Sequence, residues 1–422
     1  MNLQELREMV GSIVDYDPDV QTYRDEVTRV VNELYLDFFT DKPWTFAIKS
    51  SEISVYKDVK VTNGAFAIGA STVTSTSNPF RDWMNGAIVE ISGSTTPSED
   101  GEYEIEKFGA VGTIYLKGFV ATATTPANLT VTVKQRYVDM PKNCAEVIAV
   151  GLRNPTQTPT TAFDYLPRFR DEEYGLLLSA QGQPTDWLLH DDETVLSPVL
   201  APTIQEDVAG PWIAGEYHVK YTLIYQNRES SPSPASPVTL GAGGKKIEVT
   251  GMQDTGLNSG YTKRFYVRTT ETKAYYHVSE ADVAETTTTV ASLTVPTQYL
   301  ISQDRLPENS GHYKRIRLYP RQDTDYLVSL RYIYQPPRLI EDSDTPEFPP
   351  SHHRYLVYRA CQELFVKHDN LSHSEVYKRK ADIELLRLEN NYLSAGAGSW
   401  EMQSFAGSEY LTRANTTLTW LG

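Results

Sequence analysis

The side chains with the greatest chemical potential gather late in the chain. His352 and His353 adjoin each other at the start of a helical pattern, and His368 and His373 flank a break in it. Neither pair has the HExxH spacing that puts two imidazoles on one helix face, nor the facial-triad pattern of a non-haem iron site. They read as satisfied or exposed side chains. Asp342, Asp344 and Glu347 fall in a Pro-flanked loop and could offer hard oxygen ligands to a cation. A rigid, solvated turn accounts for the same residues without one. Cys144 and Cys361 have no metal or redox spacing, which points to a reducing compartment. No P-loop, no GxSxG and no Cys–His family signature occurs. None of the 55 acidic residues stands out as half of a glycosidase-type carboxylate pair. The sequence therefore predicts no catalytic, cofactor-binding or metal-binding residue, and a protein that is not an enzyme.

The elements that must hold these residues alternate in character along the chain. Residues 1–50 predict two amphipathic helices. Leu3, Leu6, Val10 and Ile13 share one face of the first, and Val27, Val30, Val31, Leu34 and Phe38 one face of the second, with Thr22 as its N-cap. Residues 51–138 turn to Thr, Val, Gly and Ser in short alternating runs, the pattern of a small β-barrel or sandwich. Residues 139–197 return to the main body, with strands at Ala145 to Leu152 and in the stretch Gly182 to Leu189. Residues 198–306 form a second β insertion, in which Glu216 to Tyr225 alternates strictly and a sandwich is expected. Residues 307–394 close the body. Two strands (Ile316 to Pro320, Tyr326 to Tyr334) lead through the acidic loop into a helix pair from about His352 to Leu393. Ser372 to Glu375 reads as a capping box opening the second of these helices. Ile383, Leu385, Leu386, Leu388 and Tyr392 form its apolar side, and Lys378-Arg379-Lys380 an exposed, salt-bridging face. The expected class is α+β: a discontinuous, mainly helical body carrying two all-β insertions.

Residues 395–422 are rich in Gly, Ala, Ser and Thr with scattered aromatics, a composition suited to an extended tail that orders against a partner. The formal net charge of −16 argues against a protein that grips nucleic acid through its phosphates, but suits one past which DNA must slide. The first ten residues carry charges where a secretory leader has an apolar core, and no apolar run reaches the length of a spanning helix, so no membrane partner is expected.

The N-terminal helix pair, the Met140-Pro141 strand, the stretch GQPTDWLL at 182–189 and the ordered set from Ile316 to Phe365 with its following helix resemble head-to-tail adaptor (connector) proteins of tailed phages. The stretch YTLIYQNRESSPSPASPVTL, with KIEVTGM and KRFYVRTT, resembles the fibronectin type III-like domains inserted in phage structural proteins. The resemblance implies a virion protein of the neck or tail, made in the host cytoplasm. It implies a homo-oligomeric ring, often of twelve subunits, between the portal protein and a tail nozzle or tail tube protein, with phage DNA passing non-specifically through an acidic channel. The two β insertions depart from the smallest members. A receptor- or glycan-binding tail component and a tail-associated cell-wall hydrolase are the alternatives. Within the tail, Trp400, Phe405, Tyr410, Trp420 and Leu421 are the expected anchors on portal or a neighbouring subunit, because aromatic anchors dominate interface energetics. Deleting residues 395–422 is expected to abolish attachment to portal-bearing particles while leaving a folded body; a truncated protein that still pellets with those particles would refute the assignment.

Overall fold

The computed structural model describes residues 1–393 apart from 18–19, 110–111, 123–128, 154–162, 169–180, 195, 227, 243, 254–260, 271, 283–290, 294–303 and 307–311. The chain divides into two compact units. One comprises Met1–Ser51, Asn143–Val150 and the described residues from Leu330 on; the other comprises Glu52–Lys142 and Gly151–Ser329.

The first unit holds the four α-helices of the described residues: α1 (Leu3–Val14), α2 (Gln21–Asp41), α3 (Arg354–Lys367) and α4 (Leu371–Tyr392). Helix α1 opens on a capping box that the sequence reading missed. The Asn2 side chain accepts from the Glu5 amide at 2.8 Å, and the Glu5 carboxylate accepts from the Asn2 amide at 3.0 Å. Helix α2 has Val20 as its N-cap, with no side-chain cap bond, two residues before the expected Thr22. Leu3, Leu6 and Val10 of α1, Val31 and Phe39 of α2, and Leu356, Ala360 and Leu364 of α3 are all buried in one core. An aromatic knot joins the pieces. Phe38 lies 4.8 Å from Trp44, 5.1 Å from Phe348 and 5.0 Å from Tyr355, centroid to centroid, while Trp44 stacks on Phe46 at 5.7 Å. Contacts of this kind add to the area each ring buries. Strand segments 48–51, 144–150 and 330–334 lie in one sheet of this unit, tied by the Tyr334 amide to Ala47 O and the Gln335 amide to Asn143 O, both 2.8 Å.

The second unit is built of strands. Val59–Ala65, Thr72–Ser75, Thr113–Leu116, Gly101–Phe108, Ile88–Ser92 and Leu129–Lys134, in that order around the axis, close a six-stranded barrel. Alternation explains its interior: Leu129, Val131 and Val133 point in, their neighbours out. Gly64 is required on the adjoining strand, since a Cβ there would lie 2.5 Å from Val131 Cγ2. A sandwich follows. One sheet orders Thr203–Trp212, Lys245–Thr250 and Ala291–Leu293; the other is centred on Gly215–Tyr225, which pairs with Ser236–Leu240, Arg228–Glu229 and Tyr261–Thr269, the last flanked by Tyr276–Asp282. Trp212 of the first sheet meets Tyr217 of the second edge to face at 5.2 Å, so the two sheets share an aromatic core. His312–Tyr319 pairs antiparallel with Asp186–Thr194 and with Val138–Asp139.

This overturns the expected mainly helical body. Strand makes up 41% and helix 25% of the described residues, with only four α-helices and a closed barrel, so the chain is mostly β. The reason lies in segments assigned to the helical body. In Tyr326–Tyr334 every second residue from Tyr326 to Tyr332 is buried, and Asp186–Thr194 and His312–Tyr319 pair with each other as strands. Ladder hydrogen bonds satisfy their backbones in sheets.

Replacing Phe348, at the junction of α2, α3 and the 44–46 segment, by alanine is expected to cost about 3–5 kcal/mol of first-unit stability, measured by denaturant unfolding. A loss below about 1 kcal/mol would remove the knot from its central place.

Candidate assembly surface

The histidines and acids that opened the sequence analysis are absorbed by structure. The His353 Nε2 donates to Phe348 O at 2.9 Å, and burial pushes its pKa below the ordinary value. His352 lies 3.4 Å from a Glu384 carboxylate oxygen and edge-on to Tyr392. His368 contacts the Tyr16 hydroxyl, and His373 Nδ1 sits 2.9 Å from Asn370 Oδ1. In the acidic loop the three carboxylates diverge to separate tasks. Asp344 accepts the Ile340 and Glu341 amides at 2.7 and 2.8 Å, closing the turn on itself. Asp342 pairs with Arg7. Glu347 accepts from the Tyr334 hydroxyl at 3.2 Å. The loop also caps a helix: the Leu3 and Gln4 amides, free at the N-terminus of α1, donate to Asp344 O at 2.7 Å and Asp342 O at 3.2 Å. The rigid-turn reading stands, with this anchoring role added. Among the described residues no group of three His, Cys, Asp or Glu could hold a metal ion, and no helix is long and apolar enough to cross a membrane. The expected anchors Trp400, Phe405, Tyr410, Trp420 and Leu421 lie outside the described residues.

Helix α4 carries the unexplained surface. Its N-cap is Asn370, whose side chain accepts from the His373 amide, so the helix starts before the expected Ser372–Glu375 box. The cause is a tight turn from α3: Asp369 is left-handed (φ 55°) and the Asn370 amide returns to Phe365 O at 2.9 Å. Ser374, Ala381 and Leu388, each seven residues apart, are buried, and Tyr377 of the same face stacks on Phe365 at 5.6 Å. A second series, spaced seven and then three residues, faces the other way. Val376, Ile383 and Leu386 are 49%, 54% and 57% exposed. At 100° per residue the two series lie about 160° apart around the helix. The sequence pattern puts Ile383, Leu385, Leu386, Leu388 and Tyr392 on one apolar side. At helical period these five cannot share one face: Ile383 and Leu386 fall opposite Leu385, Leu388 and Tyr392, and that spacing is the signal for two. The outward series is flanked by cations. Arg379 pairs with Glu375 at 3.3 Å, Arg387 with Glu384 at 2.6 Å, and the Lys380 ammonium lies 4.3 Å over the Tyr377 ring.

On the same unit, α1 and α2 frame a groove of about 340 Å3. Gly11, Val27 and the Tyr16–Tyr23 stack (4.4 Å) line it, with Glu8, Asp17 and Asp342 opposed by Arg7 and Arg24. Burial and the nearby Glu26 carboxylate raise the Tyr16 pKa, which keeps that hydroxyl neutral.

Among the described residues, the second unit contains a cluster built around a buried carboxylate. Glu229 is 1% exposed. Its carboxylate accepts from Thr222 Oγ1 at 2.7 Å and Lys142 Nζ at 2.9 Å and is also bonded by the Tyr266 hydroxyl, with Arg264 Nη1 at 3.4 Å. Tyr313 donates to its backbone carbonyl at 2.9 Å. Burial alone would push its pKa up, but the Lys142 charge and the Tyr266 and Thr222 hydroxyls outweigh that and hold it below 4.5. A carboxylate saturated with donors and closed to solvent serves as a structural node. Sequence reasoning singled out none of these residues, because they are scattered from Lys142 to Tyr313. No known protein family, no curated protein and no solved structure matches the chain.

Because the folded pKa of Glu229 is depressed, its stabilisation is full above the unfolded pKa near 4.5 and is lost as pH falls through the folded value. Thermal unfolding followed from pH 7 to pH 3 is expected to show this loss in the native chain, and a lower, flatter profile in Glu229→Gln. Identical slopes for the two proteins would contradict the node.

Proposed function

We propose that the chain is a structural head-to-tail adaptor of a tailed bacteriophage, forming a ring between portal and tail through which DNA passes. The observation that carries this reading is α4: one seam packs inside its own unit, and a second, opposite seam of Val376, Ile383 and Leu386 is left at the surface. A helix with two opposed seams suits repetition of one subunit beside the next, and closure of such a repeat requires a heterologous contact. The net charge of −16 supports a channel that repels phosphate. The anchors Trp400, Phe405, Tyr410, Trp420 and Leu421 would join the ring to portal or a neighbouring copy, with a tail nozzle or tube protein docking below. The barrel and sandwich would be carried on the ring, the sandwich in the manner of fibronectin type III-like insertions. The chemistry required of such a protein is binding alone.

Negative-stain electron microscopy of the purified chain, alone and mixed with portal, tests the proposal. Rings with an opening wide enough for duplex DNA are expected. Fibrous trimers, or isolated particles that stay single in the presence of portal, would refute it.

A further inference from the structure

We infer that the outward seam of α4 in one copy docks into the α1–α2 groove of a second copy, and that this head-to-tail contact closes the assembly. The inference rests on the ring reading above and names the surfaces that reading leaves open.

Three observations converge on these two faces. The first is pattern. Val376, Ile383 and Leu386 occupy positions a, a and d of successive heptads, the seam by which a helix packs on a partner, and they remain half exposed while the opposite seam is filled. The second is shape. The α1–α2 groove, about 340 Å3, has an apolar floor at Gly11 and Val27 and a 40% exposed aromatic wall at Tyr23. The third is charge. Residues 1–41 carry ten Asp or Glu against three Arg and no Lys. The exposed residues of α4 include Lys378, Arg379, Lys380 and Arg387, opposed by Glu375 and Asp382, while Glu384 and Glu389 are half-buried and engaged with Arg387 and Lys42. The groove lining itself sets Glu8, Asp17 and Asp342 against Arg7 and Arg24, an acidic excess of one charge that complements the basic flank of the ridge between copies.

Self-pairing of two α4 seams is the competing arrangement. It would set the Lys378–Lys380 clusters of both copies along one interface, and an isologous pair ends at a dimer. The heterologous contact avoids both the like-charge clash and the dead end. Cys144 and Cys361 are buried, so new surface cysteines can report on the contact selectively.

Two single-cysteine variants, Ile383→Cys on the seam and Arg24→Cys on the groove rim, are mixed and treated with a short bis-maleimide. A cross-linked pair is expected in the mixture and not in either variant alone. Cross-linking of Ile383→Cys to itself, or no link in the mixture, overturns the inference. In parallel, Ile383→Asp with Leu386→Asp alters only exposed positions, so its circular dichroism and melting are expected to match the parent. Its sedimentation is expected to show self-association weakened at least tenfold. A double variant that assembles as the parent does overturns the docking inference and leaves the ring reading intact. A parent chain that is itself monomeric, with and without portal, overturns both.

Discussion

The aromatic knot of Phe38, Trp44, Phe46 and Phe348 is the constraint on which the first unit depends. Its members come from opposite ends of the sequence, so none of the helices can bury its apolar face until the chain has returned past residue 330. Once Phe348 is seated, the loop before it is fixed. Its carbonyls then satisfy the first amides of α1, and its Asp344 side chain closes the turn. The helices after it follow directly: Tyr355 packs on Phe38, and α4 packs on α3 through Ala381, whose small side chain permits close approach. The exposed seam of α4 is thus held on a scaffold whose orientation is set by a core assembled from both ends of the sequence.

The second unit reaches stability by a different route. Its barrel removes sheet edges by closure, and its sandwich fills the space between sheets with Trp212, Tyr217, Tyr221 and Phe265. Burying Glu229 is costly unless the charge is met by donors, and Lys142, Thr222 and Tyr266 meet it. Breaking one of those partners would cost more than any surface ion pair in the molecule could return. The node therefore fixes strands Gly215–Tyr225 and Tyr261–Thr269 against the segment ending at Lys142, all within one unit.

Local pattern made much of this legible. Helical spacing placed α1 and α2, alternation placed Gly215–Tyr225 and Leu129–Lys134, and the Pro-flanked loop read as rigid. The mainly helical class failed because the barrel and sandwich, read as insertions, together with the strands of the body outweigh the four helices. Cap positions moved because geometry outside the capping residues decided them: Asp369 turns left-handed and hands the cap to Asn370. The two seams of α4 were visible in the numbers 374, 381 and 388 against 376, 383 and 386, though only the packed structure tells which one is free. The partners of Glu229 were not legible at all, since no local pattern links Lys142, Thr222, Tyr266 and Tyr313.

The central proposal is that this chain is a repeating subunit of a closed ring. Native mass spectrometry of the full chain at micromolar concentration tests that most directly. The account predicts one closed oligomer of fixed copy number, with no ladder of larger species. A 47.5 kDa monomer persisting across that range, with and without portal, would contradict it.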